Sequence, residues 1–142
     1  MRIRKAAKAA TTVSAAVAAL AALPAIAAGF DGKSNLVCAA TEVVACTDSL
    51  GCMQGSARAF EMPDFMYVDF KGKIVHARSA DATSKVESPF RNFDVSERAL
   101  TIQGVENHQG WTLSVDRNSA RMTTTVTGAE VSYMIFGACT AI

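Results

Sequence analysis

Short runs in which apolar and polar residues alternate recur along the second half of the chain. In "WTLSVD" the residues Trp111, Leu113 and Val115 fall on one face, and the residues between them are polar. "RMTTTVT" (121–127) repeats the alternation, and "AEVSYMIFGAC" (129–139) continues it towards the C-terminus. A period of two is typical of a β-strand with one face in the core, so each run predicts a strand.

The same alternation occurs earlier, in segments bounded by turn residues. "FMYVDFKGKIVHAR" (65–78) predicts a hairpin with Lys71-Gly72 at its tip, and "FRNFDV" and "ALTIQGVE" predict strands on either side of "SER". The polar stretch "SADATSKVESP" (79–89) predicts a flexible loop. Because strands recur at about ten-residue spacing and no long helical stripe follows residue 27, the pattern predicts an all-β antiparallel meander.

The edges of such a sheet constrain its architecture. An open antiparallel sheet leaves two edge strands whose backbone groups have no partner, and these edges promote aggregation. Closing the sheet removes both edges. We therefore predict a small all-β domain in which the meander is closed, or nearly closed, into a barrel of about seven or eight strands, with a tightly rolled sandwich as the alternative.

The N-terminus has the order of features of a secretory signal peptide. Four basic residues among the first eight are followed by an Ala-rich apolar run and then by Ala25-Ile26-Ala27. The apolar run is shorter than the ~20 strongly apolar residues of a spanning helix. We predict a helical signal peptide over 1–27 and a single mature domain over 28–142. This domain is expected to be periplasmic or secreted from a bacterium, without stable membrane insertion after cleavage.

The net charge of the predicted mature domain limits the classes of partner that we expect it to bind. Cleavage after Ala27 leaves ten basic and thirteen acidic residues, a net charge of −3. Nucleic acid is therefore not expected as a partner, because binding to it depends on neutralising phosphates. No basic patch is evident that would bind anionic lipid.

Three of the four cysteines lie within "VCAATEVVACTDSLGC" (37–52), and the fourth is Cys139. An even number of cysteines in an exported chain favours disulfides, and their spacings fit neither a C-x₂₋₄-C zinc pair nor a C-x-x-C redox motif. Spacing alone leaves three pairings open. The turn residues between Cys46 and Cys52 predict a bridge that closes this turn. Cys38 and Cys139 would then join the first strand of the domain to the last.

No constellation of residues typical of catalysis or metal binding is evident. The two histidines, His76 and His108, are interpreted as solvated surface residues, because the sequence provides no third ligand near them. Ser56 lies in "QGSARAF", outside any G-x-S-x-G motif. Asp64 and Asp69 are the best-placed pair of carboxylates, and their surroundings indicate turns. We therefore predict a protein that is not an enzyme and uses no metal or cofactor.

Four residues are candidates either for a ligand site or for the core. Trp111 follows Gly110 at the start of a predicted strand, where it could form the floor of a cavity or fill the end of the barrel. A barrel of this size is usually filled by its own side chains, which favours the second role. If a cavity exists, we expect it to be lined by Met122, Tyr133 and Ile135.

The signal peptide, the early "LVC", the motif "GW-x-L-x-V-D-R" and the closing "FGAC" together resemble small secreted proteobacterial β-proteins of unassigned function. The resemblance covers the whole mature chain and implies fold and compartment rather than activity. The chain is also similar in size, signal and bridged strands to the periplasmic inhibitors of C-type lysozyme. Those inhibitors have a Ser-Gly pair followed by a basic residue and Tyr in their inhibitory loop, and this chain contains no Ser-Gly pair.

These observations predict a non-enzymatic periplasmic domain that recognises a protein or an envelope component. One alternative is a carrier of a small apolar ligand, which requires an internal cavity. Another alternative is a protein of the lysozyme-inhibitor type. A cluster of exposed aromatic side chains would favour a protein partner, whereas a cavity too small for a ligand would exclude the carrier.

Overall fold

The computed structural model describes residues 29–79 and 85–142. These residues form nine β-strands in a single antiparallel sheet, and a short 3₁₀ turn, Ala57–Phe60, follows the second strand. The strands are β1 (Leu36–Thr47), β2 (Gly51–Gly55), β3 (Phe65–Asp69), β4 (Ile74–Arg78), β5 (Lys85–Val95), β6 (Ala99–Glu106), β7 (Gln109–Asp116), β8 (Arg121–Thr127) and β9 (Val131–Ala141). The prediction of an all-β fold is confirmed.

Strand β1 closes the sheet into a barrel. Along one edge it pairs with β9 over its whole length, with a bulge between Ala40 and Glu42. Along the other edge its first half pairs with β3 and its second half with β2. The ring β1-β3-β4-β5-β6-β7-β8-β9 therefore contains eight strands, and β2 lies outside it as a ninth. The predicted barrel of seven or eight strands is confirmed, whereas β2 was not predicted.

The alternation of apolar residues corresponds to the inner face of the barrel. Leu100 and Ile102 on β6, and Leu113 and Val115 on β7, are fully buried or nearly so. On β8 the buried positions are Met122 and Thr124. The side chains between these positions face outward, as the period of two predicts.

The prediction of a loop over 79–89 is wrong for its second part, because Lys85–Pro89 form the first half of β5. Residues 80–84 lie outside the described residues. The polar composition of this segment arises because Lys85 and Glu87 occupy the outer face of the strand. Ser88 points inward and is buried, and the register pairs it with Val75 of β4.

One end of the barrel is closed by phenylalanine rings and by the N-terminal segment. Phe70, Phe90 and Phe93 pack edge to face, with ring centroids 5.3–6.3 Å apart. The segment before β1 crosses this end: Phe30 is buried there, and Gly32 lies against the Phe93 ring. Gly32 has φ +75° and no room for a Cβ, so this crossing requires glycine.

Both predicted disulfides are present. Cys38 on β1 lies opposite Cys139 on β9, and the bridge between them is buried in the core. Cys46 on β1 lies opposite Cys52 on β2 and closes the turn between these strands. Two disulfides indicate an oxidising, extracytoplasmic environment.

The predicted signal peptide over 1–27 lies outside the described residues. Within the ranges 29–79 and 85–142, no helix has the length and apolar character needed to cross a membrane.

The two bridges should contribute unequally to stability. We expect the pair Cys38→Ala and Cys139→Ala to lower the free energy of unfolding by about 4.7 kcal/mol, because this bridge closes a long loop. For the pair Cys46→Ala and Cys52→Ala the expected loss is about 2.4 kcal/mol, because the loop is short. Urea titrations followed by circular dichroism would measure both losses, and equal losses would contradict this order.

Candidate ligand cavity

The barrel contains an apolar cavity of about 240 Å³ at the end opposite the phenylalanine rings. Its mouth is bordered by the turn between β6 and β7 and by the segment that follows the 3₁₀ turn. The lining residues are Met62, Pro63, Met66, Val75, Ala77, Val86, Ser88, Glu106, Asn107, Gln109, Trp111, Leu113, Thr124, Val126 and Ile135. Apolar side chains therefore form most of the wall, and polar side chains concentrate at the mouth.

The strand register places inward-facing residues of β6, β7, β8, β9 and β1 in two successive rows. The row that contains Trp111 also contains Gly104, Val126, Tyr133 and Ala45. The next row contains Ile102, Leu113, Thr124, Ile135 and Val43, all with branched side chains. On β4 and β5 the inward residues beside the cavity include the small residues Ala77 and Ser88, which leave space for it.

Trp111 forms part of the cavity wall. Its Nε1 donates a hydrogen bond to Ser88 Oγ at 2.8 Å, which satisfies the only polar atom of the ring. The ring lies on the backbone of Gly104, where a Cβ would collide with it and would also lie 2.8 Å from Pro89 O. Trp111 therefore contributes to the cavity wall near the mouth, and its role in filling the end of the barrel stays a prediction.

The other three candidate residues have different positions. Ile135 lines the cavity. Met122 is not among the lining residues: it is 2% exposed and packs beside Gly137, nearer the closed end. Tyr133 is half-buried and packs against the core, also without lining the cavity. The structure thus places Trp111 and Ile135 in the cavity lining, whereas Met122 and Tyr133 are not lining residues, although Tyr133 is paired with Val126 beside the cavity.

Thr124 is a polar residue at the floor of the cavity. Its side chain is 4% exposed, and its Oγ1 has no hydrogen-bond partner among the described residues. A buried hydroxyl without a partner costs roughly 1–3 kcal/mol. The sequence carried a signal for this residue, because Thr124 occupies an inward position of the alternating run on β8.

A second concave surface lies on the outer face of β3, β4 and β5. The rings of Tyr67 and His76 stand 5.9 Å apart there, and His76 Nδ1 lies 3.4 Å from Glu87 Oε1. Lys85 Nζ is 2.6 Å from the same oxygen, and this contact lowers the pKa of the Glu87 carboxyl. His108 is exposed in the turn between β6 and β7, so the two histidines belong to different surfaces. Among the described residues, no group of three His, Cys, Asp or Glu side chains could hold a metal ion.

Comparison with known proteins gave no match, either to a protein family or to a curated protein. The resemblance to periplasmic lysozyme inhibitors therefore stays a prediction.

Replacing Thr124 with valine should increase stability. The change Thr124→Val keeps the shape of the side chain and removes the unpaired hydroxyl, so we expect the free energy of unfolding to rise by about 1 kcal/mol. Thr125→Val on the outer face is the control, and its effect should stay within about 0.5 kcal/mol. A clear loss of stability for Thr124→Val in urea titrations would show that the hydroxyl makes a hydrogen bond in solution.

The position of Trp111 should depend on the glycine beneath it. We expect Gly104→Ala to cost about 2–3 kcal/mol and to shift the Trp111 fluorescence spectrum, because the added methyl group displaces the ring. Gly110→Ala is the matched control on the neighbouring strand. A Cβ at Gly110 meets nothing within 4 Å, so neither stability nor fluorescence should change appreciably. Equal effects of the two changes would contradict the packing of Trp111 on Gly104.

Proposed function

We propose that this chain is a non-enzymatic periplasmic β-barrel that binds a small apolar ligand in the cavity at its open end. The observation that carries the proposal is the cavity itself. An engineered apolar cavity of about 150 Å³ binds benzene, so a cavity of about 240 Å³ has room for roughly ten non-hydrogen atoms. This is smaller than the usual site for a drug-sized ligand, which favours a compact molecule.

The chemistry of the lining supports binding rather than catalysis. A nucleophile needs a base within hydrogen-bond distance, and the lining residues that the structure describes include no histidine, lysine or cysteine. Ser88 Oγ accepts the hydrogen bond from Trp111, and Glu106, the only carboxylate among these described lining residues, lies at the mouth. The few polar groups of the wall could therefore orient a ligand by hydrogen bonds, while the apolar side chains contact the apolar body of the ligand.

The cavity changes the order of the functions considered from the sequence. A protein or envelope partner was the first prediction, and a cluster of exposed aromatic residues would favour it. Phe65 is 48% exposed on the outer face of β3, whereas Phe93 is 41% exposed at the closed end, beside Phe70 and Phe90. Phe65 and Phe93 therefore do not form one patch, although Phe65 borders the concave surface of β3, β4 and β5 that also contains Tyr67 and His76. A protein partner and a lysozyme-inhibitor role stay predictions.

Binding can be tested with Trp111 as the reporter, because it is the only tryptophan of the chain and lines the cavity. We expect 2-phenylethanol to change its fluorescence saturably, with a dissociation constant of about 1 mM or tighter. Ala77→Leu should weaken this binding at least about tenfold, because the larger side chain fills the cavity. Ala138→Leu, on the exposed face of β9, should leave it unchanged.

Native mass spectrometry on protein purified from its own periplasm provides the complementary measurement. Extra mass that disappears on denaturation would identify the natural ligand. A bare chain, together with no saturable response to 2-phenylethanol, would contradict the proposal.

A further inference from the structure

The charge on the described lining residues of the cavity is negative. Among the described lining residues Glu106 is the only ionisable side chain, and it stands at the mouth, at the end of β6. Lys85 and Arg78, the nearest strand-end cations, belong to the outer face of β4 and β5, where Lys85 is paired with Glu87. An anionic group entering the cavity would therefore meet a carboxylate and no lining cation.

The turns at the two ends of the barrel extend this asymmetry. At the open end the described turns and strand ends carry Asp48, Glu61, Asp64, Glu87, Glu106 and Glu130 against Arg58, Arg78, Lys85 and the exposed His108. At the closed end they carry Lys33, Lys71, Lys73, Arg98, Arg117 and Arg121 against Asp31, Asp69, Asp94, Glu97 and Asp116. The summed potential therefore favours the approach of a cation to the mouth of the cavity.

We propose that the cavity selects compact apolar molecules that carry a cationic ammonium group and discriminates against carboxylates of the same size. This inference rests on the proposed function, since it names the class of ligand for the same cavity. The apolar body lies between Trp111, Val126 and Ile135. The ammonium group stays at the mouth, near the Glu106 carboxylate, where it remains partly hydrated and does not pay the full cost of burying a charge.

The inner part of the cavity is apolar, which agrees with an ammonium group that stays at the mouth. Its apolar floor and wall would leave a deeply buried ammonium group without a counter-charge, since Thr124 offers only a neutral hydroxyl. An ammonium at the mouth avoids that cost, whereas a carboxylate at the same place would be repelled by Glu106. A neutral alcohol of the same shape is neither attracted nor repelled by the Glu106 carboxylate. Its affinity therefore serves as the reference for the other two ligands.

The test compares three probes of nearly the same size at pH 7 and low salt: 2-phenylethylamine, 2-phenylethanol and phenylacetate. Titrations of Trp111 fluorescence should give the tightest binding for the amine, about fivefold tighter than the alcohol, and the weakest binding for the carboxylate. The preference should shrink at 0.5 M salt, because the mouth is solvated and its charges are screened. Binding of the alcohol with no preference for the amine would overturn this inference and leave the proposed function intact. No binding of any probe would overturn both.

A matched pair of variants locates the source of the preference. Glu106→Gln should bring the ratio of amine to alcohol affinity close to one, because the ammonium group loses the carboxylate beside it. Glu97→Gln removes the same charge from the closed end and should leave the ratio unchanged. Thermal unfolding of both variants would verify that they fold. A preference that survives Glu106→Gln would overturn the assignment of Glu106 as the selecting group.

Discussion

The pairing of β1 with β9 is the constraint on which the rest of the structure depends. It extends over the whole length of both strands, and it converts a sheet with two free edges into a closed ring of eight. The buried bridge between Cys38 and Cys139 lies within this pairing, so one of the contacts that join the two ends of the domain is covalent. Closing a long loop is costly in chain entropy, and the bridge reduces that cost by restricting the unfolded chain.

Closure also determines where the cavity lies. With eight strands the interior is just wide enough for side chains to fill it, so the size of the inward residues decides which levels are packed. Phe70, Phe90 and the segment around Phe30 fill one end, whereas the small side chain of Ala77 leaves space at the other and Gly104 gives room for the Trp111 ring in the wall. The same geometry gives the two ends different chemistry, because alternate turns project from opposite ends of an antiparallel barrel and can carry different charges.

The strands, the closure and both disulfides could be predicted from the sequence, because a period of two and the turn residues between Cys46 and Cys52 are local signals. Alternation failed to predict a strand where the outer-facing residues make the segment polar, and where the strand lies outside the ring. Lys85 and Glu87 made the start of β5 resemble a loop, and β2 lies outside the ring, where alternation brings little burial. The cavity could not be predicted, since it depends on which inward residues meet across strands. Trp111 and Ile135 meet there, but Met122 lies on a deeper level.

The open end of the barrel is informative, because single substitutions of its lining residues would fill the cavity or improve its packing. A larger apolar residue at Ala77 would add buried surface, and valine at Thr124 would remove an unpaired hydroxyl, each a common route to greater stability. A barrel shaped for stability alone would combine such residues with the closed phenylalanine end. Here the packed end and the buried bridge supply the stability, and the described residues of the open end keep small side chains, the two wall hydroxyls of Ser88 and Thr124, and one carboxylate at the mouth. Local departures from good packing concentrate at functional sites, so the departure at this end supports the assignment of function to the cavity.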